Sequence, residues 1–144
     1  MTLEYNQITE QIFIGTNFFR QAHFDNELLS KGITAEISLE GEAVDAPFGV
    51  EFFCWIPVTD NHAPTIDQFE LGVSTLDKLV AMGKKVYVHC KHGHGRAPTL
   101  VAAYFISKGD TILDAVAKIK EKRPVMHLNE TQMKALEEFQ KQIT

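Results

Sequence analysis

The sequence predicts an α/β fold in which a central, mainly parallel β-sheet is flanked by helices within a single domain, residues 1–144. Three observations lead to this expectation. The length of 144 residues suits one domain, since domains usually hold roughly 100–200 residues. Strand-like and helix-like segments alternate through the first part of the chain, and the C-terminal part is helical. This order is typical of an α/β sandwich.

The first half of the chain is expected to contribute three strands and one short helix. Asp25 is a typical N-cap and Gly32 a typical helix end, so a short helix should lie between them. Residues 40–50 are rich in Gly, Pro and acidic side chains, which predicts a surface loop. Three segments have the apolar, β-rich composition of strands: residues 12–14, 33–39 and 51–58.

The second half has stronger helix signals. Thr65 and Gln68 form a capping-box pattern, and apolar residues follow at helical spacing until Gly83 ends the helix. Pro98 suits the first turn of a later helix that is apolar all round and should therefore be central. After the Thr65 helix, the predicted elements are a buried strand and three helices: residues 84–89, 97–106, 111–122 and 129–143.

The composition excludes several classes of protein. The net charge of −5 and the pI near 5.6 leave no basic footprint for a nucleic acid. No run reaches the ~18 apolar residues of a membrane span, and residues 1–6 lack the features of a signal peptide. The two cysteines, Cys54 and Cys90, are too few for a disulfide framework and match no zinc ribbon. We therefore expect a cytoplasmic protein without a transmembrane segment or a nucleic-acid partner.

The segment between the buried strand and the central helix carries the chemistry. Cys90 ends the strand, and Arg96 follows six residues later at the start of the helix. Gly93 and Gly95 let the backbone curl so that successive N–H groups point inward, which forms an anion nest beside a helix N-terminus. Arg96 can hold two phosphate oxygens, and Cys90 in the same positive field should be a thiolate at neutral pH. A thiolate facing a bound tetrahedral anion is placed for attack at phosphorus.

Residues 89–96, His-Cys-Lys-His-Gly-His-Gly-Arg, have the pattern H-C-x-x-G-x-x-R. With this loop the chain resembles the dual-specificity branch of the protein tyrosine phosphatase superfamily, including its phosphatidylglycerophosphate phosphatase-type members. The resemblance extends over residues 8–143. Further segments match small members of the branch in the same order: residues 11–15, residues 56–60, and Arg123-Pro124 followed by Asn129 and Gln132.

The resemblance implies a protein tyrosine phosphatase-like fold and a phosphomonoester hydrolase that needs no cofactor or metal. It implies that Cys90 is the nucleophile that becomes a phosphocysteine, and that Arg96 binds the phosphate and stabilises the transition state. Asp60 would protonate the leaving oxygen and later deprotonate water, and His89 would lie behind the thiolate and help to keep it ionised. The substrate-binding cradle and rim would consist of Lys91, His92, Gly93, His94, Gly95 and Arg96.

Two alternatives concern the acid and a metal. Asp67 is a second candidate acid, but it falls in the first turn of a predicted helix, where a carboxylate interacts with the helix dipole. Asp60 follows a strand whose C-terminal end should lie beside that of the Cys90 strand, so we prefer it. The histidines and cysteine of residues 89–94 could suggest a zinc site, yet ligands so close in sequence cannot easily surround one tetrahedral ion. We expect no metal.

Three further residues leave alternatives open. Cys54 lies in an apolar strand and most simply packs there, although the resemblance also allows a reversible disulfide with Cys90. Gln132 could cap the last helix or orient water near the site. Ala97 departs from the pattern, because most of the family has Ser or Thr directly after the arginine. The resemblance implies that this hydroxyl assists the thiolate as a leaving group, so its absence predicts slow breakdown of the intermediate.

The expected substrate is a protein phosphorylated on Tyr, Ser or Thr. Lys91, His92 and His94 make the rim basic, and residues 60–65 also resemble phosphatidylglycerophosphate phosphatases. A phosphorylated lipid, inositol or glucan is therefore the alternative. A rhodanese-like or arsenate reductase-like enzyme uses a similar Cys-to-Arg loop but does not need Asp60. A non-catalytic phosphate-binding module would be expected to lack the nucleophile or the acid.

Overall fold

The structure is a computed structural model that describes residues 3–17 and 24–144. Within these ranges the chain forms five strands: β1 (Tyr5–Gln7), β2 (Ile12–Gly15), β3 (Ile33–Glu40), β4 (Phe52–Val58) and β5 (Lys85–His89). The same ranges contain five helices: α1 (Asn26–Ser30), α2 (Ile66–Ala81), α3 (Arg96–Ser107), α4 (Ile112–Lys122) and α5 (Glu130–Ile143). Every predicted strand and helix is present, and β1 is an addition.

The strands form one sheet in the order β1-β2-β5-β3-β4. Among the described strands, only the β1–β2 pair is antiparallel. The middle strand, β5, is paired on both sides, since Val88 lies opposite Ile14 of β2 and Ile37 of β3. The predicted mainly parallel sheet is thus confirmed, and the strand that leads into the Cys90 loop is its most enclosed member.

Both faces of the sheet are covered by apolar side chains. Alternate residues of a strand point to opposite faces, so Ile12 and Ile14 join the large core beneath α2–α5, whereas Phe13 joins a smaller cluster on the α1 side. Helix α3 is buried from Arg96 to Ile106, which confirms the central position predicted from its apolar composition. The sheet is therefore flanked by helices on both faces.

The predicted helix starts are confirmed by their caps. The Asp25 side chain accepts a hydrogen bond from the N–H of Glu27 at the start of α1. The reciprocal capping box of Thr65 and Gln68 is present at α2. A second reciprocal capping box lies at the start of α5, where Asn129 is the N-cap. These local bonds satisfy N–H groups that a helix start otherwise leaves unpaired.

The parallel strands place their carboxyl ends, and the loops that follow them, at one edge of the sheet. In parallel α/β sheets this edge is where ligands bind. The loop after β5 carries Cys90, and the loop after β4 carries Asp60. Residues 41–51, which follow β3, begin at the same edge, because β3 lies between β5 and β4 in the sheet. No helix within the described ranges is both long enough and apolar enough to cross a membrane.

Candidate active site

A cavity of about 250 Å³ lies at the carboxyl edge of the sheet. Cys90, which directly follows β5 and is almost fully buried, lines it. Arg96 and Asp60 line the same cavity, so the fold brings together the three side chains to which the sequence assigns the main chemical roles. The other lining residues are Asn61, His92, His94, Gly95, His127, Asn129 and Gln132.

Arg123 holds two consecutive carbonyl groups of the loop that follows Cys90. Its side chain is fully buried. Its Nη2 donates to the carbonyl oxygen of His92 over 2.9 Å, and its Nε donates to that of Gly93 over 2.8 Å. Its Nη1 donates to the Asn6 side chain in β1 over 2.7 Å. Because a buried guanidinium needs such partners, Arg123 fixes the loop to the N-terminal strand.

The two flanking carbonyl groups of the loop are fixed as well. The carbonyl of Lys91 accepts from the N–H of Asn17 over 3.1 Å, and that of His94 accepts from the N–H of His127 over 2.7 Å. The C=O and N–H of a trans peptide unit point in opposite directions. The N–H groups of residues 92–95 therefore turn away from these partners, toward the inside of the loop. Consecutive N–H groups in this arrangement bind anions.

The two glycines of the loop are required by close packing. Gly93 has a φ of 69°, in the left-handed region that favours glycine. A Cβ at this position would lie 2.6 Å from the carbonyl oxygen of Gly15 and 2.8 Å from Arg123 Nη2. A Cβ at Gly95 would lie 2.8 Å from Gln132 Nε2. The loop can therefore approach its supports only because these side chains are absent.

Arg96 begins α3 and is oriented by a carboxylate that the sequence did not reveal. Its side chain is 2% exposed. Its Nη1 donates to the carbonyl of Val58 over 2.7 Å, and both Nη atoms bond the Glu42 carboxylate, with 3.0 Å between Nη2 and Oε2. The bonds to Arg96 lower the pKa of Glu42. Glu42 does not line the cavity, so it orients the guanidinium without occupying the space of an anion.

The structure separates the two candidate acids. Asp60 Oδ1 lies 3.6 Å from Arg96 Nη2, and 58% of the Asp60 side chain is exposed. The same oxygen accepts the N–H of Asn61 over 2.9 Å, and Asn61 has a φ of 65°. Asp67 lies exposed in the first turn of α2, outside the cavity. Asp60 is thus the carboxylate placed at the cavity, with access to water for proton exchange.

The start of α5 holds the loop that carries Asp60. The Asn129 side chain donates from Nδ2 to the carbonyl of Asn61 over 2.9 Å. Gln132 Nε2 donates to the carbonyl of His62 over 3.1 Å, while its Oε1 accepts the N–H of Asn129 over 3.0 Å. Gln132 therefore caps the helix as one alternative predicted, and it also lines the cavity.

His89 is fully buried and paired with two carboxylates. Its Nε2 lies 2.8 Å from Asp45 Oδ2 and 3.5 Å from Glu36 Oε1. Burial by itself would lower the pKa of His89, but the two carboxylates raise it to about 10. The ring is therefore positively charged at neutral pH, next in sequence to Cys90.

Among the described residues, Glu36, Asp45 and His89 are also the group that could hold a metal ion. Their possible ligand atoms all lie within 4.8 Å of one another. The distance of 2.8 Å between His89 Nε2 and Asp45 Oδ2 is that of a charged hydrogen bond. Two ligands of a tetrahedral zinc ion with bonds of about 2.0 Å would lie about 3.3 Å apart. The geometry is therefore that of a hydrogen-bonded ion pair that includes His89.

The rim is less basic than the sequence suggests. His92 and His94 line the cavity with ring centroids 5.7 Å apart, whereas Lys91 is exposed and does not line it. Burial lowers the pKa of His94, and the nearby Arg123 and His92 act in the same direction. His94 is therefore neutral at neutral pH. His127 adds a third imidazole to the cavity wall.

Strand β3 separates the two cysteines. Cys54 lies opposite Ile37 of β3, and Ile37 lies opposite Val88 of β5. Neighbouring strands are about 4.8 Å apart, so roughly 10 Å separates Cys54 from Val88, beyond the ~7 Å Cα limit of a disulfide. Cys90 is two residues farther along. Cys54 instead packs against the large core, as the simpler alternative predicted.

Four side chains of the site were not singled out in the sequence. Glu42 and Asp45 lie in the acidic loop after β3, and a parallel sheet places that loop at the same edge as the one after β5. Glu36 stands out as a charged residue inside an otherwise apolar strand. These were usable signals. For His127 the sequence carries no comparable signal.

Comparison with known proteins agrees with this geometry. Residues 16–142 match the family model described as dual specificity phosphatase, catalytic domain. The human phosphatidylglycerophosphatase and protein-tyrosine phosphatase 1 is 39% identical over 100 residues, which cover 67% of this chain and 48% of that protein. Mouse dual specificity protein phosphatase 1 is 28% identical over 139 residues, covering 95% of this chain and 37% of that protein.

A solved structure extends the comparison to three dimensions. The crystal structure of PTPMT1 in complex with PI(5)P superposes with a TM-score of 0.81 at 25% identity, covering 96% of each chain. The present chain spans less than half of the length of the two curated relatives. The family model matches most of the residues, and the fold places residues 89–96, the signature loop, at the cavity. The chain therefore belongs to the dual specificity phosphatase catalytic-domain family.

Proposed function

We propose that this chain hydrolyses phosphomonoesters through a phosphocysteine intermediate. The observation that carries the proposal is that Cys90, Arg96 and Asp60 line one cavity, beside a loop whose N–H groups turn inward. A nucleophile, an anion cradle and a proton donor are the parts that phosphoryl transfer to a cysteine requires.

In the first step the Cys90 thiolate attacks phosphorus. A bond forms between Sγ and phosphorus while the bond from phosphorus to the ester oxygen breaks, and Asp60 gives its proton to the departing oxygen. The exposure of the Asp60 side chain supports this role, because the acid must exchange protons with solvent between turnovers. Arg96 and the inward N–H groups hold the remaining phosphate oxygens, where negative charge has to be stabilised.

In the second step water attacks the phosphocysteine. Asp60, now a carboxylate, takes a proton from the water as the new oxygen–phosphorus bond forms, and Cys90 departs as a thiolate. The positive charge on His89 stabilises that thiolate. Glu42 keeps the Arg96 guanidinium oriented in both steps without entering the cavity.

The proposed substrates are proteins phosphorylated on Tyr, Ser or Thr, as in the dual-specificity branch. The second candidate is a phosphorylated lipid head group. It is favoured by the identity of 39% to the human relative whose name gives phosphatidylglycerophosphatase beside protein-tyrosine phosphatase, and by the PI(5)P in the PTPMT1 complex. A cytoplasmic location stays a prediction.

One substrate panel tests the proposal. Purified protein is assayed with phosphotyrosine and phosphoserine peptides, phosphatidylglycerophosphate and PI(5)P in mixed micelles, and a phosphoglucan, with Cys90→Ser as the control. Release of phosphate by the wild type and not by Cys90→Ser supports the proposed reaction, and the kcat/KM order assigns the class. Sulfur transfer from thiosulfate to cyanide, or reduction of arsenate, without phosphate release would favour the rhodanese-like or reductase alternative. Binding without turnover in every assay would favour a phosphate-binding module.

A further inference from the structure

Glu36 is a buried carboxylate in β3. Its side chain is 0% exposed, and among residues 3–17 and 24–144 neither Oε1 nor Oε2 has a hydrogen-bond partner. Burial strongly disfavours an ionised carboxylate that lacks hydrogen bonds. Glu36 takes no part in the reaction described above, so its place beside the signature loop calls for an explanation.

Within the part of the chain that the structure describes, the charged groups that act on Glu36 are His89 and a second carboxylate, Asp45. His89 Nε2 lies 3.5 Å from Glu36 Oε1, at the margin of a bond, but 2.8 Å from Asp45 Oδ2. Asp45 also accepts from Asn17 Nδ2 over 3.0 Å. Counted over the described residues, Asp45 thus has two hydrogen-bond donors and Glu36 has none. The better solvated of two neighbouring carboxylates is the one that ionises first.

Other ionisable groups border this cluster from the adjoining elements. Tyr87 of β5 donates from Oη to the carbonyl of Thr16 over 2.6 Å, and burial raises its pKa well above the usual value, so it is neutral. Glu40 of β3 accepts from Asn17. Cys90 follows His89 directly. With Cys90 ionised, a charged Glu36 would add one more negative charge beside the His89 imidazolium, which already faces Asp45.

We propose that Glu36 and Asp45 share one proton behind the signature loop, so that one carboxylate charge, rather than two, balances His89 while Cys90 is ionised. Glu36 is then a positioning residue that acts on Cys90 through His89. The inference rests on the proposed function only for the role of Cys90 as nucleophile. Like-charged carboxylates that share a site commonly retain one proton between them.

The directions of the pKa shifts agree with this arrangement. Burial raises the pKa of Glu36 to about 7, against the opposing effect of His89. Asp45 is also partly buried, which acts to raise its pKa, but His89 and the other partners leave it lowered. The shared proton therefore resides on Glu36 and is lost as the pH rises through about 7. Above that pH the added negative charge disfavours the Cys90 thiolate.

The first test measures the pH dependence of Cys90 alkylation by iodoacetamide in the absence of substrate. We expect the wild-type rate to rise with pH in two steps, because ionisation of Glu36 opposes that of Cys90. Glu36→Gln places a permanently neutral group at the same position, so its curve should rise in a single step with its midpoint at lower pH. Glu40→Gln, which removes a carboxylate from the same strand, should keep the two-step shape. An identical curve for the wild type and Glu36→Gln would overturn the inference.

The second test observes the proton directly and does not depend on the folding of a variant. Infrared spectra of the wild type with 13C-labelled glutamate should show a protonated carboxylic acid band at about pH 6 that disappears above about pH 8. The absence of any such band at the lower pH would mean that Glu36 is ionised there and holds no shared proton, and the inference would be wrong. Neither test uses hydrolysis, so a failure of the proposed substrate reaction would be distinguishable from a failure of this inference.

Discussion

Asn129 at the start of the last helix donates a hydrogen bond to the backbone carbonyl of Asn61, 2.9 Å away, in the loop that carries the candidate acid. The same Asn129 side chain accepts the N–H of Gln132 as a helix cap. One residue therefore stabilises α5 and holds the position of Asp60. These two roles can be separated by substitution, because only one of them needs the amide nitrogen.

Replacing Asn129 by Ser should disturb the loop that carries Asp60 and leave helix α5 stable. Ser is as good an N-cap as Asn, but it has no amide nitrogen to reach the carbonyl of Asn61. We expect kcat for an alkyl phosphate to fall roughly threefold to tenfold, since a misplaced catalytic group costs rate. The inhibition constant of vanadate should stay unchanged. The check is steady-state kinetics together with a thermal melt, and a loss confined to stability would contradict the role assigned to the Asn61 contact.

Cys90→Ser should abolish hydrolysis of an aryl phosphate while leaving the fold and phosphate binding in place. A serine hydroxyl is not ionised at neutral pH, so the attacking anion is lost although the loop and Arg96 remain. Wild-type activity should persist in excess EDTA, because the proposed steps involve no metal. The measurements are turnover and phosphate titration. Residual activity in Cys90→Ser, or loss of wild-type activity in EDTA, would contradict the mechanism.

Asp60→Asn should lower the rate by about 10²–10⁴-fold, the usual contribution of a general acid. The loss should be greatest for alkyl phosphates, whose leaving oxygens most need a proton, and the basic limb of the pH–rate profile should flatten. Asp67→Asn is the matched control, because Asp67 is exposed in the first turn of α2. If Asp67→Asn lost more activity than Asp60→Asn, the assignment of the acid would be reversed.

The pairing of buried His89 with Asp45 and Glu36 should make the free energy of unfolding fall as the pH rises. The pKa of His89 is raised to about 10, against about 6.5 in an unfolded chain. Its contribution is therefore fully present below about pH 6.5 and is lost as the pH rises toward 10. Denaturant unfolding between about pH 6 and pH 9 should show this decline, on the order of several kcal/mol. In His89→Gln the free energy of unfolding should be lower and its decline over the window smaller, with Glu36, whose pKa burial raises, accounting for the decline that remains.

Ala97→Ser should raise the steady-state rate. Ala97 is fully buried in the first turn of α3, where most of the family has a hydroxyl that assists departure of the thiolate. Without it, we expect a burst of the first product followed by slow turnover, as the phosphocysteine accumulates. Stopped-flow measurements should show a smaller burst and a higher kcat in Ala97→Ser. No burst in the wild type, with kcat unchanged in the variant, would mean that this step does not limit the reaction.

Local signals predicted most of the fold. Caps and periodicity located α2 and α5, and Thr65 and Asn129 form the capping boxes that mark their starts. Strand β1 was missed because its three residues owe their structure to pairing with β2 rather than to an apolar pattern of their own. Such pairing is a tertiary effect that strand propensity does not encode.

The site was predictable where the chemistry lies within one loop. Cys90 and Arg96 are six residues apart, so their relation is visible in the sequence. The hydrogen bonds between Arg96 and Glu42 and between His89 and Asp45 join residues distant in sequence. Only the order of the strands brings these residues together. Their carboxylates therefore looked like ordinary charges of a surface loop.

The bond between Arg123 and Asn6 has a consequence for the lifetime of the signature loop. Arg123 also lies 3.1 Å from Glu4, so two partners near β1 share one buried guanidinium with the carbonyls of His92 and Gly93. Detachment of β1 would leave that guanidinium underpaired. We therefore expect the edge strand and the loop to open together, so that their amide protons exchange with solvent with a common opening free energy. On this expectation, the pairing of a three-residue strand at the margin of the sheet limits how long the anion nest persists.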